Sequence, residues 1–423
     1  MSAQSPFDYS AAWQEVDTLL KQNLTRSALE EVDRIETAAT REGQDPQFIK
    51  AVLYGLGLQK RVEEKGDSLV ISRLQAEIAE ASQPNQAILQ SYLADLLYQY
   101  YQEYRWQIMN RTETEETPED FQTWSAATFH RQIAELYQAS LAPSFLLQSL
   151  PVRRYEAILD TAKESEILRP SLYDLLAHRA IDKLGNAEFY LNDPRAVFII
   201  PEDVGFLPSE DFIEVPVNSP YDRSLTWISL TIFQQLTAYH LKAGQIEPLV
   251  EVELARMKFV HEQNSFADKE TRYREALDRL AIAYAKSPAL SRVLFAQAKW
   301  YANQAQEMGR FKADDPKAEA YVSAERLCRQ IKRQFPRSFA SQQADGLLDN
   351  IRYQSLSFQL ENPFLPNRPS RIKVEYRNVP RAYFRVIRLT ESMEKTLEGF
   401  GYGDKEERFD YLRRQRALRN WSP

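Results

Sequence analysis

Apolar residues recur every three or four positions along most of the first 360 residues, the period of helices with one buried face. Trp13, Val16, Leu19 and Leu20 share a face, and Ala28, Val32, Ile35 and Ala39 form a second stripe after a short turn at Leu24–Thr25. Asp45-Pro46 supplies a cap and a first-turn proline for a helix carrying Ile49, Val52, Leu53 and Leu56. Ile71, Leu74 and Ile78 mark the next, and Gln83-Pro84 opens a long one through Leu93, Leu97, Tyr100 and Tyr104. Short connections between such stripes predict helical hairpins packed on one another.

Helices resume at Phe121–Ser140, break at Pro143 and Pro151, and return around Tyr155–Ala162 and over Ser171–Leu184. Residues 185–222 change character. Val197–Ile200 and Phe212–Val217 have strand-like composition, and Pro201, Pro208, Pro216 and Pro220 confine any strand there to short edge pieces. This is an irregular, β-containing excursion inside a helical array. Helices continue from Ser224 to His261, from Lys269 to Lys286, and as pairs over 288–356. Pro288 and Pro336 lie 48 residues apart, nearer a HEAT-type period than the 34 of a tetratricopeptide repeat. Ala324, Cys328, Ile331 and Pro336 nevertheless take the spacing of a second tetratricopeptide helix. The expected fold is mainly α: a divergent α-solenoid of tetratricopeptide-like hairpins over residues 1–360.

Pro363, Pro366 and Pro369 within residues 361–370 predict a linker. Beyond it Ile372, Val374 and Tyr376 alternate with charged residues, Asn378-Val379-Pro380 turns the chain, and Ala382–Leu389 reads as the partner strand. Glu406–Arg419 reads as helix. Residues 371–423 therefore predict the start of a β-sandwich, too short to bury both faces.

Composition changes this picture little. Against 53 Lys and Arg stand 60 Asp and Glu, a net charge of −7, which disfavours a generally basic nucleic-acid binder. Residues 371–423 carry +5 of their own. No apolar run is long enough for a membrane span. The single cysteine, Cys328, excludes an internal disulfide and any cysteine-built metal site; its helical spacing predicts a buried, inert thiol. Met1–Pro6 has neither the basic nor the apolar region of a signal peptide, leaving a cytosolic protein or an exported one without its leader.

No residue pattern in the chain assigns a catalytic, cofactor-binding or metal-binding residue. Gly55 and Gly57 sit inside a helical stretch, and no phosphate loop, zinc-protease or serine-hydrolase motif occurs. Of His130, His178, His240 and His261, His178 is the tempting one, because Asp174 lies one helical turn before it and could orient its ring. A structural histidine joining two helices is the reading preferred. The acidic loop 113–120 lacks the oxygen spacing of a calcium loop. Tyr92, Tyr98, Tyr100, Tyr101, Tyr104 and Trp106 come without a basic stripe, which favours packing over base stacking. Asn23, Asn110 and Asn420 begin glycosylation triplets that matter only in a eukaryotic secretory host.

Several segments, in order along the chain, resemble the N-terminal region of very large exported bacterial alpha-2-macroglobulin family proteins. They include Trp13–Leu19, Ser27–Val32, Phe48–Ala51, Pro170–Ala180, Arg256–Val260, Leu294–Tyr301 and Val374–Val379. The Leu-Tyr-Asp-Leu-Leu-Ala-His-Arg run and the Tyr-Arg-Asn-Val turn are the most specific. The resemblance implies a helical region followed by macroglobulin-type β-sandwich domains, and endopeptidase inhibition by the whole protein at the periplasm, cell surface or extracellular side. Some family members carry a Cys-Gly-Glu-Gln thioester that traps proteases. Cys328 stands in Leu-Cys-Arg-Gln and is not that group, so no inhibitory residue carries over. The competing expectation is a free-standing, cytoplasmic helical-repeat adaptor that binds a protein partner along a concave face.

Overall fold

The structure, a computed structural model, describes residues 7–62, 66–113, 116–160, 164–185, 200–201, 204–216, 224–264, 266–307, 319–361, 371–401 and 403–422. It is mainly helical, with small antiparallel strand pairs near its C-terminus. Two compact units divide between Ala344 and Asp345.

The first unit opens with α1 (Tyr9–Lys21), α2 (Thr25–Glu42), α3 (Asp45–Val62), α4 (Gly66–Glu80), α5 (Asn85–Ile108) and α6 (Ala126–Leu141). Each packs on the next, and α3 also meets α5. The expected stripes are the buried ones: Val16, Val32 and Ile35 join one cluster, and Ile49, Val52, Leu74, Leu93 and Leu97 enter the main core. Gly43 ends α2 at φ +63, a left-handed turn that glycine adopts without steric cost. Trp13 Nε1 donates to Gln47 Oε1 at 2.8 Å, tying α1 to α3.

After α7 (Ser144–Ser149), a 3-10 segment (Val152–Ile158) and a single turn, α8 (Ser165–Leu168), the chain enters α9 (Leu172–Leu184). This helix touches α5, α6 and α7, and later α11. Tyr137 on α6 and Arg179 on α9 both donate to Asp95 on α5, so three helices share one carboxylate.

The excursion departs from expectation. Phe212 lies not in a strand but in α10 (Ser209–Glu214). The strand expected at Val197–Ile200 falls, apart from Ile200, outside the described residues, as does Val217. What holds 204–214 is a buried arginine. Arg256, fully buried on α12 (Ile246–Gln263), donates to the Gly205 and Leu207 carbonyls at 3.3 and 2.7 Å and lies 4.1 Å from the Phe212 ring centre. Burial pulls its pKa down to about 10, against the opposing pull of nearby Glu253. Glu253, whose own pKa burial raises, accepts from Ser209 Oγ at 2.5 Å and Tyr284 Oη at 2.9 Å. These carbonyl and carboxylate partners offset the cost of placing a cation in the core. Gly205 completes the contact, since a Cβ there would stand 2.2 Å from Val260 Cγ1.

Beyond α11 (Leu225–Ala243) and α12 follow α13 (Lys269–Ala283), α14 (Leu290–Glu307) and α15 (Glu319–Gln334), again each packed on the next, with α12 also meeting α14. Glu270 on α13 accepts from His261, Trp300 and Gln304, joining α12 and α14. Cys328 is fully buried on α15, as its spacing predicts.

The second unit begins within α16 (Phe339–Arg352). Strands start at β1 (Ser355–Leu360), ahead of the proline segment, of which 362–370 lies outside the described residues. β1 pairs antiparallel with β2 (Ile372–Arg377), Leu356 opposite Tyr376 and Phe358 opposite Val374. The expected partnership of Ile372–Tyr376 with Ala382–Leu389 is therefore corrected. Instead β3 (Phe384–Ile387) pairs with β4 (Ala417–Trp421), and Phe384 stacks on Trp421 with ring centres 5.2 Å apart. Between them lie α17 (Glu391–Glu398), capped by Thr390, and α18 (Lys405–Arg414). The helix expected over Glu406–Arg419 stops at Arg414, because Gln415 is extended and the following residues join β3.

Candidate functional site

A fully buried polar cluster of the first unit forms where α9 begins and α11 ends. Val152 N–H donates to the Pro170 carbonyl and Leu172 N–H to the Leu150 carbonyl, both at 2.8 Å, fixing the chain just before α9. Ser171 then caps the helix with extended backbone. Its Oγ accepts from Asp174 N–H, while Asp174 Oδ2 accepts from Ser171 N–H at 3.0 Å and Ser171 Oγ at 2.6 Å, a reciprocal capping box. The other oxygen, Oδ1, accepts from His240 Nε2 at 2.7 Å.

His240 reaches that position through the turn that ends α11. Gly244 is left-handed at φ +64, and Gln245 N–H returns to the His240 carbonyl. The same turn brings Gln245 Oε1 to 2.9 Å from His240 Nδ1. Asp174 and His240 are both fully buried.

The expected orienting pair is corrected here: Asp174 binds His240, not His178. His178 is buried with no hydrogen-bond partner at Nε2. Burial, and then the nearby Arg169 charge, push its pKa down to about 3 and keep the ring neutral at ordinary pH. Nothing in the local pattern could have named His240, which stands 66 residues from Asp174; the glycine-ended turn His-Leu-Lys-Ala-Gly-Gln was the available sign.

Serine, aspartate and histidine meet in this cluster, but in an order unsuited to nucleophile activation. A relay needs histidine between serine and aspartate, taking the serine proton. Here aspartate is the middle member, and both ring nitrogens of His240 are engaged. The cluster locks α9, α11 and the α11–α12 turn together.

Over this lock runs an open groove of about 520 Å³ between α6, α7, α9 and α11. Tyr173 and Tyr239, the sequence neighbours of Asp174 and His240, line it with rings edge to face at 6.2 Å. Tyr173 Oη donates to Gln235 Oε1 at 2.8 Å, and Tyr239 Oη to the Gln148 carbonyl at 3.3 Å. Burial raises the pKa of both phenols. The lock thus sets the groove floor.

The chain matches no family model and no curated protein.

The likeness to alpha-2-macroglobulin proteins accordingly rests on the quoted segments. Where the structure places them is informative. Leu172–Ala180 supplies most of the buried residues of α9, and Arg256–Val260 holds the core arginine of α12. Val374–Val379 is the end of β2 and its left-handed Asn378, at φ +52. These are framework positions.

The remaining sequence candidates find structural places. His261 bonds Glu270 and stacks on Tyr273. His130 meets the Tyr101 ring edge to face. Of the aromatic cluster, Tyr101 is buried and Tyr92, Tyr98, Tyr100 and Tyr104 pack against the core, whereas Trp106 is exposed, with Arg105 over its ring. In the acidic loop Asp120 caps a 3-10 turn, and residues 114–115 lie outside the described residues. Among the described residues no group of His, Cys, Asp and Glu has a metal-holding arrangement, and no helix is long and apolar enough to cross a membrane.

Proposed function

We propose that this chain is a helical scaffold and protein-interaction region, not itself catalytic, of an exported bacterial alpha-2-macroglobulin-like protein that inhibits endopeptidases. One observation carries the scaffold reading: buried Asp174 and Arg256 direct their hydrogen bonds to other groups of this chain, between helices and onto the segment 204–214. Packing of neighbours and next neighbours, α3 with α5 and α12 with α14, suits a tetratricopeptide-like solenoid. The amphipathic β1–β2 ribbon suits a strand pair of a macroglobulin-type sandwich. Parentage is supported by the ordered sequence likeness. The test is an immunoblot of fractionated source cells with antibody to this chain. A band far above 49.2 kDa in the envelope, shifted further by added trypsin, is the expected result. A cytosolic band near that mass, inert to trypsin, would replace the reading with the free-standing adaptor, for which the open groove along α11 is the favouring observation.

A further inference from the structure

We propose that the groove along α11 binds an extended peptide segment that carries a carboxylate. Amide side chains hold its backbone and Lys242 meets its charge. The inference rests on the interaction-region reading above and gives that region a ligand chemistry.

The wall supplied by α11 is a single stripe, Ile228, Thr231, Gln235, Ala238 and Lys242, at spacings of three and four. The fourteen steps from Ile228 to Lys242, at 1.5 Å each, span about 21 Å, the length of roughly six residues of extended chain. A volume of about 520 Å³ is ordinary for a ligand groove. Its floor is apolar, with Leu141, Ile228 and Ile232 buried beneath the half-buried Tyr239 ring. An extended peptide sends alternate side chains to opposite faces, so every second one could rest on that floor.

The polar lining is what selects a peptide. Gln138, Gln148 and Gln235 each present an amide, which has both donors and an acceptor and so matches a peptide group from either side. Gln235 is held by the Tyr173 hydroxyl on its oxygen, which leaves its NH2 without a partner among the described residues. The side-chain amides of Gln138 and Gln148 likewise have none there. Among the described residues no Asp or Glu lines the groove, and the one formal charge they bring to it, the exposed Lys242, has no carboxylate partner. One ammonium balances the single charge of a carboxylate, whereas the nearly double charge of a phosphate would go half unmet.

The experiment uses the full chain and arrays of random hexapeptides in three forms: neutral with an amidated end, neutral with a free C-terminal carboxylate, and amidated with one internal Glu. Peptides of the second or third form should be enriched, the preferred form revealing whether the carboxylate is terminal or a side chain. Lys242→Ala should weaken these peptides roughly fivefold. Gln235→Ala should weaken them more; Lys242→Ala should leave the thermal midpoint unchanged, whereas Gln235→Ala, which takes the acceptor from the buried Tyr173 hydroxyl, should lower it slightly. Equal capture of the neutral amidated form, or capture unchanged in both variants, would overturn the proposal. A silent array with an envelope-located, high-mass parent overturns the groove alone, whereas peptide capture by a cytosolic protein of this chain's mass overturns the parentage alone.

Discussion

Asp174 receives three hydrogen bonds while fully buried, two from Ser171 and one from His240. Removing the carboxylate deletes the reciprocal half of the α9 capping box and leaves the Ser171 N–H, its hydroxyl and an imidazole N–H unsatisfied in the core. Asp174→Ala should therefore cost about 3 kcal/mol, more than a lost cap of ~1 kcal/mol alone. Urea unfolding of the whole chain measures it, and a loss below 1 kcal/mol would show that the cluster is not a lock. His178 gives a second prediction, with a definite sign. Its folded pKa, about 3, lies below the ordinary 6.5 because burial disfavours the charged ring. Between those values the unfolded chain binds a proton that the folded chain does not. The contribution is thus complete above pH 6.5 and is lost as pH falls toward 3, by up to about 1.4 kcal/mol per pH unit. His178→Leu should flatten the pH dependence of the unfolding free energy by close to one proton between pH 6 and pH 4. An unchanged slope would mean that the ring is already accessible to protons. Neither role was legible from residues 174 and 178 alone: helical spacing suggested that they pair, but the capping box turns the Asp174 carboxylate to Ser171 and to a histidine on another helix.

At the scale of elements, the segment 204–214 is held by one side chain and one close approach. Gly205→Ala would place a methyl group 2.2 Å from Val260 Cγ1, so the segment or α12 must shift. Overpacking of this kind costs about 1–3 kcal/mol. Hydrogen exchange should rise in 204–214 and α12 and stay unchanged in α1 and α2, whose buried residues form a separate cluster; uniform loosening would refute a local role. The same segment shows what sequence pattern can and cannot deliver. Helices α1 to α6 were legible because each stripe recurs at three and four, and the stripe is what the core needs. Phe212 sits in a short stretch of Phe, Ile and Val that reads equally well as strand; its ring under the Arg256 guanidinium, 44 residues away, belongs to a helix. β1 had a period-two signal in Leu356, Phe358 and Leu360 but followed a long helix without a break. β4 had none, since its pairing with β3 is set by residues some thirty positions earlier. Local periodicity finds elements whose burial is periodic; pairing across distance remains invisible to it.

At the scale of the molecule, apolar burial is very uneven. Among the described residues the two clusters of buried hydrophobic side chains run from Ala12 to Val293, all in the first unit. In the second unit Leu356, Phe358 and Leu360 of β1 stand opposite Tyr376, Val374 and Ile372 of β2, so one face of the ribbon is wholly apolar. That face is open: Phe358 is 62% exposed and Tyr376 69%. The opposite face carries Ser357, Gln359, Lys373 and Glu375, with Lys373 and Glu375 paired at 2.8 Å. A two-stranded ribbon gains its stability from covering one face, and without that cover it is marginal in water. The tie to the end of α16, where Asn378 Nδ2 donates to the Ile351 and Tyr353 carbonyls, anchors one end of the ribbon and leaves its face bare. Amides of β1 to β4 should therefore exchange orders of magnitude faster than those of α9 and α11, whose inner faces are fully buried. The open face should also bind a hydrophobic dye, and Phe358→Lys should reduce that binding without moving the unfolding transition of the first unit. Protection of β1 to β4 equal to that of α11 would show that the ribbons are stabilised by something other than apolar burial, and the link between the bare face and low stability would fail.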